Sequence, residues 1–279
     1  MKKIFKAFLL ILLSTSFTLL SNSCNSDDSK DGIENHIEDD IEDKNALKII
    51  AHRGFWNTAK SAENSRTSVL LALENKFNGI EIDVRMSADS VLYLNHDPDL
   101  NGVNIKNSNS ELIRNLTLKN GERIIAFDEF IDIVSEADYD VQIFVDIKES
   151  GNLLFDKETT RRVIEKLDDK LISNKVYILS FSLPTMIYSK DFNKDIKTLY
   201  LVNSINFLDY DKIKNAKVDG LSLNYNLILN NPSLAQEIKD KGYPLNVYTV
   251  NLINDFNILK SLPINSITTD VPDILKKLR

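Results

Sequence analysis

Between residues 47 and 278, short runs of β-branched and aliphatic residues alternate with amphipathic stretches, and this alternation constrains the fold more than any other feature. Runs at 47–51, 80–86, 91–95, 141–147, 176–181, 197–202, 220–223, 245–250 and 266–269 read as strands. Stretches at 65–77, 128–136, 157–171, 184–191, 232–241, 255–262 and 272–278 carry helical spacing. About eight strand-plus-crossover units in the 234 residues from 46 to 279 predict an α/β chain closed into a TIM (β/α)8 barrel, a fold that typically takes about 250 residues. Parallel strands joined by right-handed crossovers close it. An open doubly wound sheet is the alternative, but it favours a glycine-rich first turn. The first turn here, at 51–56, is Ala-His-Arg-Gly-Phe-Trp.

The first 45 residues belong to neither strands nor helices of that plan. Lys2, Lys3 and Lys6 precede an apolar run from Ala7 to Leu20 that is shorter than the roughly 20 residues a bilayer span requires, so residues 1–23 read as a signal peptide. Cys24, the only cysteine in the chain, follows directly and excludes any internal disulfide. Its position resembles a bacterial lipobox, with Leu20 one residue further upstream than the usual leucine. Residues 24–45 hold nine acidic groups against Lys30 and Lys44 with few apolar side chains, a composition that reads as a solvated tether. The Ser-Asp-Asp after Asn25 resembles the surface-export tags of Bacteroides-type lipoproteins. These features predict an exported protein, lipid-anchored through Cys24 to the outer membrane on its periplasmic or cell-surface face. Residues 46–279, with 29 basic and 32 acidic groups, are nearly neutral. A whole-chain net charge of −7 excludes the basic surplus of a nucleic-acid binder.

Chemistry-bearing residues cluster in or just past strand ends, where barrel enzymes keep their active sites. They are His52-Arg53 after the first strand, Glu81-x-Asp83 in the second, His96-Asp97 after the third run, and Asp146-x-Lys148 in the next. The side-chain period of two turns Glu81 and Asp83 to one face, and Asp146 and Lys148 likewise. Three carboxylates lining a barrel make an all-oxygen site suited to Mg²⁺ or Ca²⁺ rather than Zn²⁺. Histidine titrates near neutrality, so His52 and His96 can serve as a general acid and base. Arg53 and Lys148 offer fixed positive charge to a phosphoryl group, although Arg53 can equally form an ion pair with Glu63.

These residues, in this order, resemble the glycerophosphodiester phosphodiesterase family, whose pattern is His-Arg, Glu-x-Asp, His-Asp and Glu-x-Lys on a (β/α)8 barrel. The resemblance spans residues 48–272 and extends to Ser180-Phe181, to Tyr248 through Asn251, and to the Thr-Thr-Asp-Val-Pro at 268–272. It implies one divalent cation, Mg²⁺ or Ca²⁺, held by Glu81, Asp83 and Asp146, with His52 and His96 catalytic and Arg53 and Lys148 gripping phosphate. It further implies hydrolysis of small-molecule glycerophosphodiesters to sn-glycerol 3-phosphate and an alcohol, either directly by water or through a cyclic phosphate. No protein partner is implied. Two departures stand out: position 146 is Asp where the family usually has Glu, and Tyr248 sits where Trp is common. Glu63, Phe181, Tyr248 and Asn251 are candidates either to line the surrounding pocket or to hold the residues that do, Glu63 by orienting Arg53 or neighbouring the cation; Trp56, Phe55 and Phe181 either border the mouth or cap the core. The polar segment between Asp97 and Ile125 predicts a small capping insertion and an open site.

Three rivals have distinct signatures. A barrel phospholipase acting on intact lipid would show an exposed apolar rim. A non-catalytic phosphodiester-binding lipoprotein would have no need of two histidines. A metal-dependent amidohydrolase would need a His-x-His pair that is missing here.

Overall fold

The computed structural model describes residues 46–279; the predicted signal peptide, Cys24 and the acidic tether lie outside them. The first half runs β1 (Lys48–Ala51), α1 (Arg66–Glu74), β2 (Gly79–Met86), β3 (Leu92–Leu94), β4 (Asp99–Leu100), β5 (Val103–Asn104), α2 (Ser110–Ile113), α3 (Phe127–Ser135) and β6 (Gln142–Ile147). The second runs α4 (Leu153–Asp169), β7 (Val176–Ser180), α5 (Leu183–Phe192), β8 (Lys197–Val202), α6 (Tyr210–Asn215), β9 (Gly220–Asn224), α7 (Tyr225–Asn230), α8 (Ser233–Asp240), β10 (Leu245–Tyr248), α9 (Ile253–Leu259), β11 (Ser266–Thr269) and α10 (Pro272–Lys276).

Eight of the strands are parallel neighbours in the order β1-β11-β10-β9-β8-β7-β6-β2, and a β1–β2 pairing at Ile50–Gly79 and Ala51–Ile80 closes the ring. The expected TIM barrel is therefore present. The run at 91–95 is a strand of another kind: β3 pairs antiparallel with β2, from Val84–Leu94 to Met86–Leu92, and hangs outside the ring.

Apolar residues separate into three cores. The largest lies between barrel and helices and includes Ile49, Ile80, Ile82, Val145, Val163, Ile178, Leu221, Val247, Phe256 and Ile267. A second fills the barrel interior with Ile50, Phe144, Leu179, Leu199 and Leu201. A third, of Tyr93, Ile105, Ile113 and Ile124, sits under the segment between β3 and α3, so the capping insertion is small but has a core of its own. Among the described residues the closed ring and its cores lie wholly inside 46–279, which meets the physical requirement for a segment to fold on its own. Among the described residues no helix is long and apolar enough to cross a membrane.

Helix starts follow their caps. Asn152 accepts hydrogen bonds from the backbone N–H groups of Leu154 and Phe155, so α4 begins four residues earlier than its apolar spacing predicts. Ser182 caps α5 through the N–H of Thr185. Ser65 and Ser68 cap α1 reciprocally.

Candidate active site

The strand period places the site. Glu81 and Asp83 on β2 and Asp146 on β6 all point into the barrel, with Asp83 and Asp146 register partners across the two strands. All three are buried, and one carboxylate oxygen from each lies within 4.8 Å of the others. Such a cluster is tolerable only beside positive charge. Lys148, two residues above Asp146, extends Nζ to within 2.6 Å of Asp146 Oδ2 and 2.8 Å of Asp83 Oδ1. Arg53 Nε lies 3.2 Å from Asp83 Oδ2, while its Nη1 pairs with Glu63.

The turn after β1 supplies the other wall. His52 leaves β1 with its N–H donating to the carbonyl of Thr269. Arg53 follows at φ 54°, with its N–H donating to Glu81 Oε2 at 2.9 Å. Gly54 then takes φ +79°, where a Cβ would meet Ser68 Oγ at 2.5 Å, so the turn can press on the start of α1 only with glycine there. His52 Nδ1 lies 2.7 Å from Asp270 Oδ1, just past β11. An ionised carboxylate only accepts, so the ring proton sits on Nδ1 and Nε2, 3.8 Å from Glu81, is left to take up a proton. His96 shows the same arrangement, with Nδ1 2.8 Å from Asp97 Oδ1.

Charge states follow from these contacts. Burial, reinforced by Asp83, pushes the Glu81 carboxyl up to about 7. Burial opposes ionisation of Asp83 too, yet Lys148 and Arg53 hold it well below the ordinary carboxylate range. Asp146 is raised by burial against the pull of Lys148. For His52, burial disfavours the cation, but the Asp270 hydrogen bond and the Glu81 charge carry the net shift upward.

One cavity of about 130 Å³ gathers His52, Arg53, Glu81, His96, Asp146, Lys148, Phe181 and Tyr248. Its far wall is Leu179, Leu201, Phe181 and Tyr248, the last two packed edge-to-face with ring centres 6.1 Å apart. Asn251 does not line the cavity; its Nδ2 donates to Asp270 Oδ2 at 2.7 Å, and it reaches the site only through that carboxylate. Glu63 likewise acts through Arg53. Phe55 is buried against Phe77 in the main core, and neither it nor Trp56 lines the cavity.

Sequence reasoning missed four contributors. Asp270 was visible only as part of a matching stretch. Asn64 brackets Asp83, donating from Nδ2 to its carboxylate at 2.7 Å and accepting from its N–H at 3.0 Å. Arg85 donates from Nε and Nη2 to the carbonyl of His96 at 2.9 and 2.7 Å, fixing that loop. Asn246 links Ser222 and Thr268 across three strands in the barrel interior.

A parallel barrel carrying a buried carboxylate triad, two carboxylate-backed histidines and two cations at the carboxyl ends of its strands is the architecture of a hydrolase acting on phosphate esters. Residues 52–274 match the model of the glycerophosphoryl diester phosphodiesterase family, and the chain belongs to that family. A glycerophosphodiester phosphodiesterase of Caldanaerobacter subterraneus subsp. tengcongensis is 24% identical over 254 residues, 82% of this chain and 96% of that protein. Among solved structures, a glycerophosphodiester phosphodiesterase from Parabacteroides distasonis superposes with a TM-score of 0.79 at 24% identity, covering 84% of this chain and 97% of that one. A phosphodiesterase from Oleispira antarctica, solved with its product sn-glycerol-3-phosphate, gives 0.75 at 21% identity over 83% of this chain and 96% of that one.

Proposed function

We propose that the chain hydrolyses glycerophosphodiesters to sn-glycerol 3-phosphate and an alcohol with the help of one divalent cation. The single observation that carries this reading is the convergence of His52, His96, Glu81 and Asp146 on one cavity, with Asp83 completing the carboxylate cluster beside it. Family membership, the name of the Caldanaerobacter relative and the product held by the Oleispira structure support the substrate class.

The triad fits a hard cation. Asp83 Oδ1 and Asp146 Oδ1 are buried without a well-directed hydrogen bond, and all three donors are carboxylate oxygens, the ligands Mg²⁺ and Ca²⁺ prefer. When bound, such an ion draws charge from the phosphoryl oxygens. The chain's own groups do the rest. His52, its Nδ1 proton held by Asp270, accepts a proton at Nε2 from the attacking oxygen. His96, backed by Asp97, protonates the oxygen of the departing alcohol. Arg53 and Lys148 face the phosphoryl group as fixed positive charges.

The test is release of glycerol 3-phosphate from glycerophosphocholine by residues 46–279, in EDTA and with Mg²⁺ or Ca²⁺ restored. Cation-dependent release that His52→Ala and Asp83→Ala both abolish is the expected result. A folded, cation-loaded protein releasing nothing from any glycerophosphodiester would leave a binding protein instead.

We also propose, from residues 2–24 alone, export and lipid anchoring through Cys24 to the outer membrane. Labelled palmitate should enter the full-length chain in a bacterial host and be lost with Cys24→Ser; equal labelling of both would remove the anchor.

A further inference from the structure

Beside the catalytic cavity lies a second one of about 80 Å³, and Lys148 lines both. Three cations line it, Arg85, Lys106 and Lys148, against the single carboxylate of Glu149. Arg85 continues the face of β2 that presents Glu81 and Asp83, two residues nearer the carboxyl end of the strand. Lys106 comes from the small insertion after β3. Its neighbour Ile105 is buried in the insertion's own core, and the Ile105 N–H donates to the carbonyl of Pro98 at 3.0 Å, just past His96-Asp97. The insertion therefore carries Asn104 and Lys106, both half-buried, against the ends of β2 and β6.

The two added cations are bonded only to neutral groups. Arg85 donates to the carbonyl of His96 and, at 3.4 Å, to that of Glu149. Lys106 Nζ donates to the carbonyl of Ser150 at 3.1 Å and stands 5.4 Å from the ring centre of Phe155. Among the described residues neither forms an ion pair, whereas Lys148 and Arg53 each hold carboxylates. A carbonyl satisfies a donor without cancelling its charge, and an ammonium has three protons to give. Asn104 adds another donor, because its Oδ1 accepts from the N–H of Asn107 at 3.1 Å and its amide nitrogen is the end left over. Half-buried positive charge with donors to spare favours an anion.

We propose that this cavity receives a phosphate carried by the leaving alcohol, so that the preferred substrates are glycerophosphodiesters whose leaving group is itself phosphorylated. The inference rests on the phosphodiesterase reading above and specifies its leaving alcohol. Position selects that side of the substrate: Arg85 holds the carbonyl of His96, the residue that protonates the departing oxygen, whereas the far wall of the catalytic cavity is apolar. The same charge disfavours an amino alcohol such as choline. In the reaction water gives a hydroxyl to phosphorus and a proton to the departing oxygen as the bond between those two atoms breaks. Glycerophosphoglycerol phosphate then yields two molecules of glycerol phosphate, and glycerophosphoglycerol yields glycerol 3-phosphate and glycerol.

The test is kcat/KM on these two substrates, which differ only by the second phosphate, for residues 46–279 with the activating cation. Wild type, Lys106→Met and Lys106→Arg would be compared. A charge-assisted hydrogen bond is worth about tenfold or more, so wild type should favour the phosphorylated substrate by about that ratio. Lys106→Met should lose most of the preference while turning over glycerophosphoglycerol at the wild-type rate, which also reports its folding. Lys106→Arg should keep the preference. The same ratio in wild type and Lys106→Met, or a wild type that favours glycerophosphoglycerol, overturns the second anion site while the phosphodiesterase reading stands. Turnover of neither substrate by wild type overturns both. Inorganic phosphate separates a substrate group from an effector: as a competitor in this cavity it should lower the wild-type preference. Stimulation of glycerophosphoglycerol turnover by phosphate, abolished in Lys106→Met, would make the cavity a regulatory anion site and overturn the substrate assignment.

Discussion

At the scale of the residue, the site depends on side chains that hold other side chains. Asp270 is the sharpest case. It accepts from His52 Nδ1 at 2.7 Å, receives a second bond from Asn251 Nδ2, and has its own N–H tied to Asn251 Oδ1 at 2.9 Å. The carboxylate is thereby fixed on two sides, and the imidazole has one tautomer to adopt. Asp270→Asn keeps the shape but presents an amide that can donate toward Nδ1, favouring the tautomer whose Nε2 already carries a proton. Loss of general-base function is worth about 10²–10⁴ in rate, so kcat on glycerophosphocholine should fall by that order with KM nearly unchanged. A kcat within twofold of wild type would remove Asp270 from the mechanism. Much of the site was legible in sequence because a strand's period of two makes Glu81-x-Asp83 and Asp146-x-Lys148 point one way. Asp270 and Asn64 were not, because a contact between positions 52 and 270, or 64 and 83, exists only after the ring closes.

At the scale of the element, the strands of the barrel were legible as short runs bearing aliphatic and β-branched residues, buried at almost every position as parallel strands covered on both faces are. What the pattern left out is short or set by caps. Helices α2, α6 and α7 span four, six and six residues, too few turns for periodicity to register. The apolar run at 91–95 resembles the barrel strands but turns back on β2, because the connection from Met86 is too short for a parallel crossover. The same turn carries a testable link. Asp89 accepts from the Ser110 backbone N–H at 2.8 Å, from Ser110 Oγ at 2.6 Å and from Ser87 Oγ at 2.7 Å, tying the β2–β3 turn to the start of α2. Those bonds, led by the Ser110 hydroxyl, hold its carboxyl down to about 2. An Asp in an unfolded chain titrates near 3.9 or so. A lowered folded value means the contribution is complete above the unfolded value and disappears as pH falls through the folded one. Asp89→Asn should therefore lower the urea midpoint at pH 6, and the gap from wild type should shrink between about pH 4 and pH 2. A gap that stays constant over that range would show that the stabilisation does not come from the ionised carboxylate.

At the scale of the whole molecule, the barrel has to hold charge at the centre of its own closure. The β1–β2 pairing that completes the ring brings Arg53 onto Glu81, and the β2–β6 pairing brings Asp83 against Asp146. The β2–β6 pairing thus assembles the carboxylate cluster, and whatever stabilises the cluster stabilises that pairing in the folded ring. Lys148 and Arg53 do this in part, but Asp83 Oδ1 and Asp146 Oδ1 keep capacity that no directed hydrogen bond uses. The unfolded chain keeps these positions far apart in solvent, so a divalent cation should bind the folded state selectively. A ligand at about 100 times its Kd adds roughly 2.7 kcal/mol, and for a domain of this size each kcal/mol moves Tm by about 2–4 °C. Saturating Mg²⁺ or Ca²⁺ should then raise the Tm of residues 46–279 by about 5–10 °C over EDTA, as read by calorimetry. Asp83→Asn should abolish the rise while the barrel still melts cooperatively, because Asn64 can still bond an amide at that position. Identical melting of the wild type in EDTA and in either cation would mean that Lys148 and Arg53 are the permanent counterions of the triad, and that the cluster was built as an ion-paired core rather than as a cation site.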